Sequence, residues 1–167
     1  MAFENNKPQH SNYGVDGMRD ISARRASTIA NMIEEARQEG LSDDFARRAI
    51  GRYGHDNGLG MAAAMKDADD FSEFAGLFGT DHNREIFEME VVEKTEDALE
   101  IHFHYCPYVT EWVKQGRSPE EIAHLCDITM EGDREFAKVF PCMKFDLLGT
   151  IADGKPVCTL RFTRRKA

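Results

Sequence analysis

Cys106 stands directly before Pro107. Proline suits the first position of a helix, so the thiol is predicted at the N-cap, beside unpaired backbone N–H groups and the positive end of the helix dipole. Such a setting favours the thiolate and lowers a cysteine pKa, which makes Cys106 a candidate nucleophile or ligand. The plainer alternative is a small residue at a strand-to-helix corner. Cys126 and Asp133 lie seven apart on a stretch where Ile122, Thr129, Phe136 and Phe140 recur at spacings of three and four. They therefore share a helix face. A carboxylate on that otherwise apolar face must be paired, bound to a ligand, or at the edge of the core. His102 and His104 are predicted on one side of one strand; with a nearby cysteine they form a half-site for zinc or another soft metal, or simply the polar side of a half-exposed strand. Cys158 shares its side of the last strand with Leu160 and Phe162, as a core thiol or one facing Cys126. Cys142, beside Pro141, reads as a surface or semi-buried thiol, and His124 falls off the Cys126–Asp133 stripe.

The elements that must position these residues follow from periodicity and punctuation. Residues 1–18 lack an apolar period and read as a flexible arm, leaving 19–167 as one domain. Helices are predicted from Ile21 to Glu39, closed by Gly40, from Ser42 to about Arg52, and from Met61 to Phe78, ended by Gly79-Thr80-Asp81. Gly51 to Gly60, with four glycines among His, Asp and Asn, reads as a loop. After residue 81 the character becomes extended. Glu85–Val92 and Ala98–Tyr105 form a hairpin, and a short helix runs from Tyr108 to Gln115. Ser118-Pro119-Glu120-Glu121 is a capping box opening a long helix to about Val139. Met143–Ile151 and Pro156–Thr163 form a second hairpin around Asp153-Gly154. The expected fold is α+β: a four-stranded antiparallel sheet in β-β-α-α-β-β order (81–167), a long helix packed on it, and a helical N-terminal third (19–80). That third covers the sheet, or offers Met61, Met65, Phe71 and Phe74 to a second copy as a homodimer.

Composition narrows the functions. In 167 residues, 30 acidic side chains outweigh 21 basic ones for a net charge of −9, which excludes nucleic acid as the expected partner. The basic cluster Arg161, Arg164, Arg165 and Lys166 is a terminal run. No apolar stretch approaches the ~20 residues of a bilayer span, so no membrane partner is expected. No secretory pattern opens the chain, so the cytoplasm is the expected compartment, with the 4 cysteines as free thiols. No Gly-rich phosphate loop, C-x-x-C pair or H-E-x-x-H motif occurs.

The order Cys106-Pro107, Leu125-Cys126 with Asp133, then Ala152-Asp153-Gly154 and Val157-Cys158, resembles the L-2-amino-thiazoline-4-carboxylic acid hydrolase family, whose members are mostly bacterial. The likeness runs from about Val91 to Phe162. It implies a small-molecule substrate, a cyclic isothiourea, to which water adds at the carbon between nitrogen and sulfur to give a carbamoyl cysteine, with no cofactor. The implied roles are a thiolate attack by Cys106 or Cys126, Asp133 holding the amidine nitrogens, and His104 shuttling the proton. Cys158 and His102 would line the substrate, and Arg161, or Arg134, would hold its carboxylate. The competing expectation is a non-enzymatic small-molecule, metal-sensing or redox-sensing domain using the same Cys/His set.

Overall fold

The computed structural model describes residues 3–78 and 83–166; the expected stop at Gly79-Thr80-Asp81 lies outside the described residues. Helices α1 (Tyr13–Gln38), α2 (Asp44–Ala64), α3 (Phe71–Phe78) and α4 (Asn83–Ile86) lead into strands β1 (Met89–Lys94) and β2 (Ala98–Phe103). Helices α5 (Pro107–Lys114), α6 (Pro119–Thr129) and α7 (Glu131–Lys138) then precede strands β3 (Met143–Gly149) and β4 (Cys158–Arg164), which are joined through a 3₁₀ turn at Ile151–Asp153. Among the described residues the strands form one antiparallel sheet of order β1-β2-β4-β3. The two hairpins meet where β2 pairs with β4, with Ile101 opposite Leu160 and Phe103 opposite Cys158. The α+β class and the four-stranded antiparallel sheet expected from sequence are both present.

One face of the sheet is covered. Leu99, Ile101, Leu160 and Phe162 are buried under Phe74 and Phe140, which contact Phe162, Phe136 and each other edge-on or tilted. Such offset geometry suits the quadrupoles of the rings. Met65, Phe71 and Phe74, considered above as a surface for a second copy, are buried in the chain's own core. The other face carries Glu100, His102, Thr159 and Arg161, as strand alternation requires.

Three departures from the sequence reading bear on the site. First, α1 begins at Tyr13, eight residues earlier than expected: the Asn12 side chain accepts from the Gly14 and Val15 amides and caps the helix. The arm before it is tied down, because the Asn6 side chain accepts from the Cys106 amide at 2.7 Å and donates to the Cys106 carbonyl at 3.0 Å. Arg19, buried against Tyr105, also bonds the arm at the His10 carbonyl and pairs with Glu88. Second, the glycine-rich stretch is helical. Gly51, Gly54 and Gly58 form the face of α2 that meets α7, where a Cβ on Gly54 would lie 1.9 Å from the Gly132 carbonyl oxygen and one on Gly58 2.9 Å from that of Phe136. Close backbone packing outweighs the ~1 kcal/mol per glycine that helix propensity costs. Third, the long helix is broken at Met130 into α6 and α7. The Thr129 hydroxyl donates to the Cys126 carbonyl at 2.8 Å, a back-bond that bends helices.

Candidate functional site

Cys106 occupies the N-cap of α5, with Pro107 at the first helical position, and its backbone is clamped on both sides by Asn6. Burial of this thiol raises its pKa, against the pull of the Val109 and Tyr108 amides that point at the sulfur. The predicted N-cap is in place, but the net shift is upward rather than downward: desolvation of the thiolate exceeds the gain from the helix end.

Two further thiols join it from other elements. Cys126, on the covered face of α6, is raised well above the ordinary value by burial, with Cys106 and Cys158 adding to the shift. Cys158, at the start of β4, is pushed up to about 12 by burial and then by Cys106, although the Ile151 amide donates to its sulfur at 3.3 Å. The 3₁₀ turn that presents that amide is built by Thr150, which is buried. Its hydroxyl donates to Asp153 at 2.7 Å and accepts from the Asp153 amide, while Gly154 adopts a positive φ of 78° to close the turn. The Thr150 side chain also reaches Cys126 and pulls its pKa down, less strongly than burial raises it.

Asp133 completes the group from the first turn of α7. Its burial raises the carboxyl to about 6, against weaker pulls from its own amide, Arg134 and Arg25. Asp133 is felt by both Cys158 and Tyr108. Tyr108 is pushed up to about 12, first by burial, and lies within electrostatic reach of Arg25, Cys106, Tyr53 and Asp133. Tyr53 on α2 precedes Gly54, which packs on Gly132 beside Asp133, and the Arg25 guanidinium lies 4.4 Å over the Tyr53 ring.

The structure thus brings Cys106, Cys126, Cys158 and Asp133 together on the covered side of the sheet. It does not bring His102, His104 or Arg161 to them. His102 donates to Glu100 at 3.0 Å and His104 to Glu90 at 2.8 Å, while Arg161 binds Glu100 and Glu93 at 2.6 and 2.9 Å, all on the outer side. Strand alternation separates them: Ile101 and Phe103 point toward the helices, so residues 100, 102 and 104 point away. Arg134 is held by Asp127 and Glu131. His124 sits off the cluster on Asp43. Cys142, expected as a surface or semi-buried thiol, is buried away from the cluster against the Ala68 carbonyl. Among the described residues no three His, Cys, Asp or Glu side chains converge as a metal site needs.

Three raised thiols, a raised carboxyl and a raised phenol share one feature: each carries its charged form at a cost, so the cluster favours neutral or cationic ligands. The sequence profile of the L-2-amino-thiazoline-4-carboxylic acid hydrolase family matches residues 19–162. The chain belongs to that family. The match includes most of α1 and all of α2, beyond the segment from Val91 that carries the resemblance. No curated protein matches the chain. Among solved structures it is similar to a trafficking protein particle complex subunit 3 from Naegleria fowleri, covalently bound to palmitic acid. That likeness has a TM-score of 0.52 at 12% identity, covers 89% of this chain and 97% of the other, and speaks for the fold.

In this member of the hydrolase family, sequence reasoning missed Asn6, Arg25, Tyr53, Tyr108 and Thr150. Tyr108 was recoverable as a first-turn residue beside the N-cap thiol, and Thr150 as a hydroxyl three residues before Asp153. Arg25 and Tyr53 carry no local signal, because α1 and α2 reach the cluster only through tertiary packing.

Proposed function

We propose that this protein hydrolyses a cyclic isothiourea at the Cys106–Asp133 cluster, with 2-amino-thiazoline-4-carboxylate as the substrate class its family name suggests. The observation that carries the reading is Asp133: a carboxyl raised to about 6 by burial, within electrostatic reach of Cys158 and Tyr108, is poised to take and return a proton near neutral pH. Cys106 is assigned the attack because it holds the N-cap of α5 and has two helix amides at its sulfur.

Cys106 gives its proton to Asp133, and its sulfur bonds to the carbon between the ring nitrogen and sulfur. The bond from that carbon to the ring sulfur breaks, and the departing sulfur takes the proton from Asp133. Water then adds to the same carbon, one of its protons going to the imine nitrogen. The second proton returns to the Cys106 sulfur as the carbon–sulfur bond to the enzyme breaks, leaving a carbamoyl cysteine. Asp133 takes the proton-shuttle role expected of His104, which lies on the far side of the sheet.

The test is turnover followed by product mass. Cys106→Ser and Asp133→Asn should each lower it by about 100-fold or more, and Cys142→Ser should leave it unchanged. Full turnover by Cys106→Ser would overturn the covalent route, and no turnover by the wild-type protein would overturn the hydrolytic reading. A second reading is acyl attachment at the same thiol, favoured by the packing of Cys106 against the hydrophobic core and by the palmitate in the related structure. An acyl adduct in the intact mass, lost in Cys106→Ser, would select it.

A further inference from the structure

Arg25 differs from Arg134, Arg47 and Arg161. Arg134 and Arg47 share Asp127 and Glu131, and Arg161 is held by Glu93 and Glu100 on the outer face. Arg25 is exposed, and no carboxylate of the described residues lies within ion-pair distance of it; its guanidinium lies instead over the Tyr53 ring at 4.4 Å. An aromatic face orients a guanidinium while leaving its N–H edge free to donate.

Its place is set by the packing of four helices. The carbonyl of the next residue, Ala26, accepts from Trp112 Nε1 at 3.1 Å, and the Trp112 ring meets Tyr108 edge-on at 5.8 Å. That ties α1 to the first turn of α5, where Cys106 sits. On the other side, Tyr53 precedes Gly54, whose backbone lies against Gly132, the neighbour of Asp133. Arg25 therefore stands at the rim of the cluster, on the side of Asp133 and Tyr108.

We propose that Arg25 is the positioning residue for the substrate, binding its carboxylate in a fork while the amidine lies at Asp133. This assignment rests on the hydrolytic reading above for its substrate. A compound with a cationic amidine at one end and a carboxylate at the other matches an acid and a guanidinium without a carboxylate partner on the same side of the cluster. The electrostatics agree in sense, since Arg25 pulls both Asp133 and Tyr108 downward.

The experiment titrates 2-amino-thiazoline-4-carboxylate and its carboxyl-free analogue 2-amino-thiazoline into the full-length protein by calorimetry, with turnover measured in parallel. Wild type should bind the carboxylate compound about 10–100-fold more tightly than the analogue. Arg25→Met should abolish that preference with little change toward the analogue. Arg24→Met, a neighbour paired with Asp20 on the exposed side of α1, should keep it. Equal affinity of wild type for both compounds, no binding of either, a preference retained in Arg25→Met, or equal losses in both arginine variants would each overturn the assignment. If the preference depends on Arg25 but no ring opens, the hydrolytic reading falls and the carboxylate subsite stands.

Discussion

On the outer face of the sheet, Arg161 binds Glu93 and Glu100, His102 binds Glu100, and His104 binds Glu90. On the covered face, Asp133 lies within electrostatic reach of Cys158 and Tyr108, with Arg134 and Arg25 pulling more weakly than burial pushes. Both faces hold ionisable groups, but only one balances them. Glu100 is held below the usual carboxylate range, first by its bond to Arg161, whereas Asp133 is raised by burial. Groups that complete each other's hydrogen bonds and charges need nothing further, while groups held at electrostatic cost persist where a ligand supplies what is missing. The residue types alone would have ranked the H-x-H pair with Arg161 alongside the thiols; the packing separates the two sets.

The sharpest way to break the covered side is to pry apart its floor. Gly54→Ala sets a methyl into the Gly132 carbonyl, and backbone cannot yield as a side chain tip can. The expected loss is about 2–4 kcal/mol in urea unfolding, together with loss of the proposed ring-opening activity as Asp133 moves. Gly60→Ala, on the same helix with nothing within 4 Å of its added Cβ, should be neutral or slightly stabilising. Equal stability of the two variants would mean that α2 and α7 do not meet as described.

That interface also shows where the sequence was legible and where it was not. The Ser118 cap, the Gly40 and Gly154 closures and the inward alternation of Leu99 and Ile101 depend on near neighbours in the chain, and they were readable. Gly51, Gly54 and Gly58 are helical because α7 lies against them, a cause some 80 residues away, so composition alone suggested a loop. The same split runs through the site. The Cys106 N-cap was visible in the Cys-Pro pair, but the sign of its pKa shift depended on how deeply the fold buries the sulfur. Asp133 stood out as an acid on an apolar stripe, and Arg25 did not stand out at all.

Smaller effects should appear as opposite pH slopes for two aspartates. Asp43 is held down to about 2, first by its bond to Arg37 and then by His124. Its folded value lies below the ordinary ~3.9 of an unfolded chain, so its contribution is present above about pH 4 and lost as pH falls toward 2. Asp133, at about 6, lies above that value. Between about pH 4 and 6 the native state binds more protons than the unfolded one, and stability falls as pH rises. Discounted for partial solvation, each effect is on the order of 1–2 kcal/mol. Asp43→Asn should therefore weaken the protein at pH 7, and Asp133→Asn should strengthen it there while abolishing turnover. A destabilised Asp133→Asn at pH 7 would show the carboxylate to be paired rather than held at cost.

The smallest expected effects belong to the outer face, and they test the comparison most directly because the prediction is near silence. His102→Gln and His104→Gln each remove one end of an ion pair on a solvated sheet surface, a contribution of about 0–1 kcal/mol that salt screens further. Neither group reaches the covered side, so on the proposed mechanism neither acts on the barrier to ring opening, and turnover in both variants should stay within about twofold of wild type across the pH range. Arg161→Met should behave the same way in turnover and leave the preference for the carboxylate compound intact, in contrast to Arg25→Met. A hundredfold loss in His104→Gln would reverse the assignment of faces. The reacting carbon would then have to sit outside the sheet, within reach of His104 and Glu90, and the balanced network there would have to open to receive it.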